Sequence, residues 1–256
     1  MRLTRCYVDQ PLQGGSIVTL PPPVAAHLTR VLRLRAGASV TLFDGRGAQY
    51  PAQLLAGDGK ALQAAIGASG PIEPEPALAL CLLQCLARGE RMDWIVQKAT
   101  ELGVTSIAPV ASAHSVVQLD TASGERRVAH WRSVAVGACE QSGRNRLPLV
   151  QPVRELAAAC HETAQHPAGA HERRLLLWPQ AEQSLPAALA AACGRPPVLR
   201  ELSLLVGPEG GLSQSEYDEA RRCGFQPVRL GRRILRAETA PLAALAAIQA
   251  LVGDFI

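Results

Sequence analysis

Leu202-Ser-Leu-Leu-Val-Gly-Pro-Glu-Gly-Gly211 and, further along, Gly231-Arg-Arg-Ile-Leu-Arg-Ala-Glu-Thr-Ala240 are the stretches on which the fold turns. Leu202 to Val206 is an apolar run of strand length that breaks into a glycine-rich loop. Pro227 to Leu230 is a second strand-like run, and it breaks into an arginine-rich loop. In an open α/β sheet, loops leaving the carboxyl ends of neighbouring strands enclose the crevice where ligands bind. The pair therefore predicts an α/β fold and marks its site.

Upstream of these loops, strands and helices alternate. Ala77 to Leu83 is a continuous apolar run suited to a buried parallel strand. Arg91 to Leu102 is amphipathic, with Gly103 as its stop. Ser106 to Val110 reads as the next strand, and residues 126–142 as a helix ending at Gly143, before the basic turn Arg144-Asn-Arg-Leu-Pro148. Leu175 to Trp178 is a strand stopped by Pro179, and the Ala-rich residues 181–200 read as helical. Ser213-Gln-Ser-Glu216 is a capping box opening a helix that Gly224 closes. Thr239 is expected to cap a last helix running from Leu242 to Val252, with Pro241 in its first turn.

The amino-terminal part reads differently. Ser39 to Phe43 alternates, Asp44-Gly45 signals a hairpin, and Ala48 to Leu55 carries the chain back. Val24 to Leu34 has apolar residues at helical spacing, so a small barrel with one helix is expected. Gly70-Pro-Ile-Glu-Pro-Glu-Pro76 continues neither a helix nor a central strand. The boundary is placed there, giving domains 1–72 and 73–256.

Composition excludes several classes. With 256 residues, 48% of them hydrophobic and 19% charged, the chain buries a large core and is not disordered. No leader pattern or membrane-length apolar run is visible, and a cytoplasmic protein is expected. The 7 cysteines are odd in number, and Cys81 and Cys85 do not have zinc-site spacing, so neither disulfides nor a metal is expected. His161, His166 and His171 lie in a stretch that reads as a solvated loop or helix end. Residues 1–72 carry seven Lys and Arg against three Asp, an excess equal to the +4 of the whole chain. That segment is the one suited to a phosphate backbone.

The loops lack the parts for phosphate chemistry. GxxxxGK[ST] and GxGxxG are both absent, and Glu209 would repel a pyrophosphate. Gly210-Gly211 instead allows close approach of main chain to a neutral or cationic ligand. Arg232, Arg233, Arg236 and Glu238 fall between a strand and a helix, where an arginine stabilises charge developing on a substrate oxygen. Salt bridges from these arginines to Glu209 or Glu238 are the alternative reading. No Ser/His/Asp or Cys/His set stands near them, so transfer of an activated group is favoured over hydrolysis.

Taken together, Leu205-Val-Gly-Pro-Glu-Gly-Gly-Leu-Ser213, Leu230-Gly-Arg-Arg-Ile-Leu-Arg-Ala-Glu-Thr-Ala240, Trp94-Ile-Val-Gln-Lys-Ala-Thr-Glu-Leu-Gly103 and Glu140-Gln-Ser-Gly-Arg144 resemble the RsmE family of ribosomal RNA uracil-N3 methyltransferases. His27-Leu-Thr-Arg-Val-Leu-Arg33 followed by Phe43-Asp-Gly45 matches as well. The resemblance implies a SPOUT methyltransferase domain with a carboxyl-terminal trefoil knot, near residues 175–256, around a mainly parallel sheet. A small PUA-like β-barrel that binds RNA precedes it.

The resemblance further implies S-adenosylmethionine as cofactor, held by Gly207, Pro208, Glu209, Gly210, Gly211, Leu230, Gly231, Ile234, Leu235, Thr239 and Ala240. Arg236, with Arg144 across a homodimer interface, would stabilise the deprotonated uracil, and Glu238 would orient it. Arg2, Arg5, Arg30 and Arg33 would grip 16S ribosomal RNA of the small subunit, with no membrane or metal involved. Two departures stand out: Ala237 in place of a frequent threonine, and Trp178-Pro-Gln180 in place of a more usual His- or Asp-Pro-Glu. The rival readings are a knotted methyltransferase for another RNA site and a non-enzymatic RNA-binding or ribosome-assembly factor.

Overall fold

A computed structural model describes residues 4–57, 61–115, 121–165, 171–190 and 199–255. The chain falls into two compact units, one of Met1–Glu75 with Val136–Leu147, the other of Pro76–Ala135 with Pro148–Ile256. The first unit hands over to the second between Glu75 and Pro76, at the end of the proline-rich stretch 70–76. The return of Val136–Leu147 to the first unit has no counterpart in the sequence reading.

The first unit is built on β1 (Arg5–Tyr7), β2 (Ile17–Thr19), a short helix α1 (Pro22–Ala26), β3 (Ser39–Phe43), β4 (Gln49–Ala56) and β5 (Leu62–Ile66). The strands form one sheet in the order β1-β3-β4-β5-β2, antiparallel except for β1 beside β3. Leu28, Val40, Leu42, Leu54 and Ala64 are fully buried in its core. The β3–β4 turn follows from its residues: Asp44 Oδ1 accepts the Arg46 N–H at 3.1 Å, and Gly45 and Gly47 take φ of 79° and 103°. Such a backbone favours glycine.

Val24 to Leu34 does not form the single helix expected. Beyond Ala26 the coil widens into a π-helical turn, His27–Val31, where Leu32 N–H reaches the His27 carbonyl at 3.0 Å. Arg33, at φ 54°, then enters the left-handed region and ends the coil, and Leu34 N–H returns to the Leu28 carbonyl at 2.9 Å. Of the apolar residues at helical spacing, Leu28 is buried and Val24 and Leu34 pack partly against the core, while Val31 and Leu32 are exposed; the spacing carries no sign of this reversal.

The second unit continues with β6 (Ala79–Cys85), α2 (Arg91–Glu101), β7 (Ser106–Ala111), α3 (Thr121–Ser142, of which the residues from Val136 on belong to the first unit), β8 (Leu149–Val150), β9 (Arg154–Glu155) and α4 (Leu156–Ala164). It closes with β10 (Glu172–Leu177), α5 (Leu185–Leu189), β11 (Glu201–Val206), α6 (Gln214–Arg222), β12 (Gln226–Val228) and α7 (Thr239–Val252). All its strands are parallel, ordered β12-β10-β11-β6-β7-β8, with β9 also on β7. The α/β class with a mainly parallel sheet is as the sequence indicated. Strands β8 and β9 and helix α4 are additions, too short or too Ala-rich to carry a period. Within the Ala-rich stretch α5 is brief, and residues 191–198 lie outside the described part.

Helix ends bear out the capping box, in which Ser213 and Glu216 satisfy each other's backbone N–H groups. Thr239 is a correction: it is the first helical residue of α7, with Glu238 at the cap position and no side-chain cap bond. Helices α2 and α7 are joined by buried Gln249, whose Nε2 donates to the Leu102 carbonyl at 2.8 Å while its Oε1 accepts Asp254 N–H at 3.1 Å. Gln249→Ala strands both groups and should cost about 1–3 kcal/mol, read as a lower denaturation midpoint in urea.

Candidate active site

Strand register sets the geometry of the site. Leu177, at the end of β10, pairs with Val206 on one side and Val228 on the other. The three strands end level, so their loops leave from one edge. A cavity of about 680 Å³ opens there, within the range of about 300–1,000 Å³ typical of small-molecule sites.

Its walls come from three loops and one helix. The first loop contributes Val206 to Leu212, and the second contributes Leu230, Gly231, Arg233 to Glu238, and Ala240. All the residues expected to hold the cofactor are therefore brought together except Thr239, which is not part of the lining. Arg236 and Glu238 line the same cavity, whereas Arg144 belongs to the first compact unit. The third wall, Leu177 to Gln180 at and after the end of β10, has no lining role in the sequence reading, nor have Arg91, Arg229 and Ala237. Pro179 as a strand stop was the available signal for that third loop.

The loops are held in place locally. Gly211 N–H donates to the Pro208 carbonyl at 2.9 Å, and Gly211 itself takes φ 72°. The segment after β7 backs this turn: His114 Nδ1 lies 3.1 Å from the Gly211 carbonyl, and a Cβ on Gly210 would come within 3.0 Å of the His114 Cβ. Trp178 packs on Tyr217 of α6 with ring centroids 4.6 Å apart. In the second loop, the Arg236 carbonyl accepts the N–H groups of both Thr239 and Ala240 at 2.9 Å, leading directly into α7.

Charge in the cavity is divided unevenly. Arg236 is exposed, and among the described residues its guanidinium has no ion pair. Neither Arg232 nor Arg233 takes the carboxylates either. Arg91 does, through Nη1 to Glu209 Oε1 at 2.6 Å and Nε to Glu238 Oε2 at 3.8 Å. Glu209 Oε1 also accepts the Arg88 backbone N–H at 3.2 Å. Partial burial pushes the Glu209 carboxyl upward, but backbone N–H groups and the Arg91 guanidinium outweigh it and hold it below its ordinary value. It is a carboxylate at neutral pH. Glu238 Oε2 is buried and has no hydrogen-bond partner among the described residues.

Among the described residues the cysteine thiols are all raised above their ordinary value, burial being the largest cause. Burial pushes the thiols of Cys6 and Cys160 up to about 12 and that of Cys139 to about 11, and raises Cys81 and Cys85 as well. Thiols so raised are poor nucleophiles at neutral pH. His161, Glu219 and Cys223 bring possible ligand atoms within 4.8 Å of one another. The Glu219 oxygens there are already engaged by His161 and Arg222.

The four arginines expected to bind RNA separate into three kinds. Arg30 and Arg33 are exposed on the π-helical turn and just after it. Arg2 lies outside the described residues. Arg5 is engaged inside its own unit: Nη1 donates to Gln49 Oε1 at 2.5 Å, Nη2 to Asn145 Oδ1 at 2.6 Å, and the guanidinium lies 5.0 Å over the Phe43 ring. Glu140 accepts the Tyr7 backbone N–H at 2.9 Å in the same unit. Arg5→Ala should lower stability by about 1–3 kcal/mol by orphaning buried Asn145, whereas Arg30→Ala and Arg33→Ala should stay within about 0.5 kcal/mol of the parent. Thermal unfolding of the three variants measures the difference.

Comparison with known proteins agrees with this geometry. Residues 73–249 match the family described as RNA methyltransferase domain, and residues 20–67 match the RNA methyltransferase PUA domain. The chain is 27% identical over 253 residues to ribosomal RNA small subunit methyltransferase E of Buchnera aphidicola, covering 99% of this chain and 98% of that protein. It is 31% identical to the Synechocystis protein of the same name, covering 92% and 73%. Among solved structures, the Neisseria gonorrhoeae ribosomal RNA small subunit methyltransferase E bound to S-adenosyl methionine is 36% identical with a TM-score of 0.85, covering 100% of both chains. A Legionella pneumophila methyltransferase in complex with the same cofactor is 31% identical, with a TM-score of 0.87 over 100% of both chains.

Proposed function

The chain belongs to the ribosomal RNA small subunit methyltransferase E family, and on that premise we propose that it methylates N3 of a uridine in 16S ribosomal RNA, using S-adenosylmethionine. The observation that carries this reading is the cavity at the level ends of β10, β11 and β12, lined by the two loops. The residues present suit the cofactor. The cavity lining contains no lysine, and it offers to a cationic ligand glycine backbone and the buried Glu238 Oε2, which has no hydrogen bond among the described residues and lies 3.8 Å from Arg91 Nε.

Gly207 to Gly211, Leu230, Gly231, Ile234, Leu235 and Ala240, all in the cavity lining, would hold the cofactor. When bound, the cofactor supplies a methyl group on a sulfonium. Uracil N3 must lose its proton to accept that methyl, leaving negative charge shared with the flanking carbonyl oxygens. Arg236, whose guanidinium has no ion pair among the described residues, is placed to stabilise that charge. Arg144 serves the same charge across a homodimer interface, and Glu238 orients the reacting groups. The strand order, with β11 inserted between β10 and β6 and β12 outside β10, supports a trefoil threading near residues 175–256.

N3 lies on the pairing edge, so the target base must be unpaired or extruded. The first unit grips the RNA through Arg30 and Arg33, both exposed. Among the described residues no helix is long and apolar enough to cross a membrane, and we place the protein in the cytoplasm.

Mass spectrometry of ribosomal RNA nucleosides from cells lacking the protein tests the reaction. 3-Methyluridine should disappear and return with the wild-type chain; its persistence would refute the assignment. Arg236→Ala should lower turnover by roughly 10²–10³ with the dissociation constant of the cofactor unchanged. An unaltered turnover with a lowered melting temperature would make Arg236 structural. Replacing Arg30 and Arg33 by alanine should flatten the salt dependence of RNA binding by about one slope unit per lost phosphate contact.

A further inference from the structure

The two ligand loops follow different strands, and among the described residues no hydrogen bond joins one directly to the other. Arg91, in the first turn of α2, is the group that reaches both, Glu209 at 2.6 Å and Glu238 at 3.8 Å. Its environment suits a bridge: the Arg88 backbone N–H holds the same Glu209 oxygen at 3.2 Å, so the first loop is anchored to the start of α2 by two donors. On the inner face of α2, Met92, Ile95 and Val96 are buried, which fixes the helix from which Arg91 extends. A guanidinium presents several donors in a rigid fork and can engage two carboxylates at once.

We propose that Arg91 is a positioning residue for the cofactor site, setting the spacing of the glycine-rich and arginine-rich loops through Glu209 and Glu238. The inference rests on reading the cavity as an S-adenosylmethionine site. Two effects of removing Arg91 oppose each other. Loss of a cation from the lining would leave two carboxylates uncompensated and would strengthen attraction for the cationic cofactor. Loss of loop spacing would instead weaken any ligand of that shape, including S-adenosylhomocysteine, which lacks the sulfonium charge. Positioning therefore has a signature that simple charge does not.

Calorimetric titration of the full chain with S-adenosylmethionine and with S-adenosylhomocysteine separates the two. Arg91→Ala should weaken both probes by a similar factor, roughly tenfold or more, the scale of coupling between residues in contact. Arg91→Lys should recover only part of the loss, because a single ammonium does not span both carboxylates. Glu209→Gln cuts the shorter link from the other end and should reproduce the loss; in the double variant Arg91→Ala/Glu209→Gln the two losses should not add. If Arg91→Ala does not fold, Arg91→Lys carries the test with the same two probes. Tighter S-adenosylmethionine with unchanged S-adenosylhomocysteine would overturn positioning in favour of charge. A lowered melting temperature with both dissociation constants unchanged would overturn it in favour of a purely structural role. Should the wild-type chain bind neither probe, the cofactor reading itself fails and this inference with it, whereas normal wild-type binding with unaltered variants refutes Arg91 alone.

Discussion

Three parallel strands end level, and the site depends on that register. Leu177 is paired with Val206 and with Val228 at once, so β10, lying between β11 and β12, delivers its own loop between theirs. A shift by one residue in either pairing would turn every side chain of the displaced strand to the opposite face. The buried leucines on these strands, Leu175, Leu176, Leu204 and Leu205, would then lose their packing. Core packing and site geometry are thus two outcomes of one register.

Electrostatics then decide what the cavity can hold. The glycine-rich loop carries a carboxylate and no phosphate-binding lysine, and Arg91 compensates that carboxylate while leaving a second, Glu238, only loosely paired. Arg236 is left without an ion pair among the described residues. Such a lining offers both acceptors to a cationic ligand and, among the described residues, a guanidinium without an ion pair to a developing anion.

Much of this was legible in local sequence. The apolar runs that became β6, β7, β10 and β11, the hairpin at Asp44-Gly45 and the capping box at Ser213 each carry their cause within a few residues. Both ligand loops were visible for the same reason. What escaped depends on partners distant in the chain. Arg91 precedes Glu209 by 118 positions, and Arg5 precedes Asn145 by 140, so no period or spacing could join them. The partners of Arg5, Gln49 and Asn145, are likewise invisible in sequence, where an exposed and an engaged arginine look alike. The π-helical turn at His27–Val31 and left-handed Arg33 escaped because apolar spacing reports a buried face and not the hydrogen-bond step that produces it.

The central claim is that one cavity, formed by the ends of three strands, binds S-adenosylmethionine. Nuclear magnetic resonance titration of the isotope-labelled chain with this cofactor tests it residue by residue. Shifts should concentrate in Leu177 to Gln180, Gly207 to Leu212 and Leu230 to Ala240. Shifts confined to other surfaces, or none at saturating cofactor, would contradict the account.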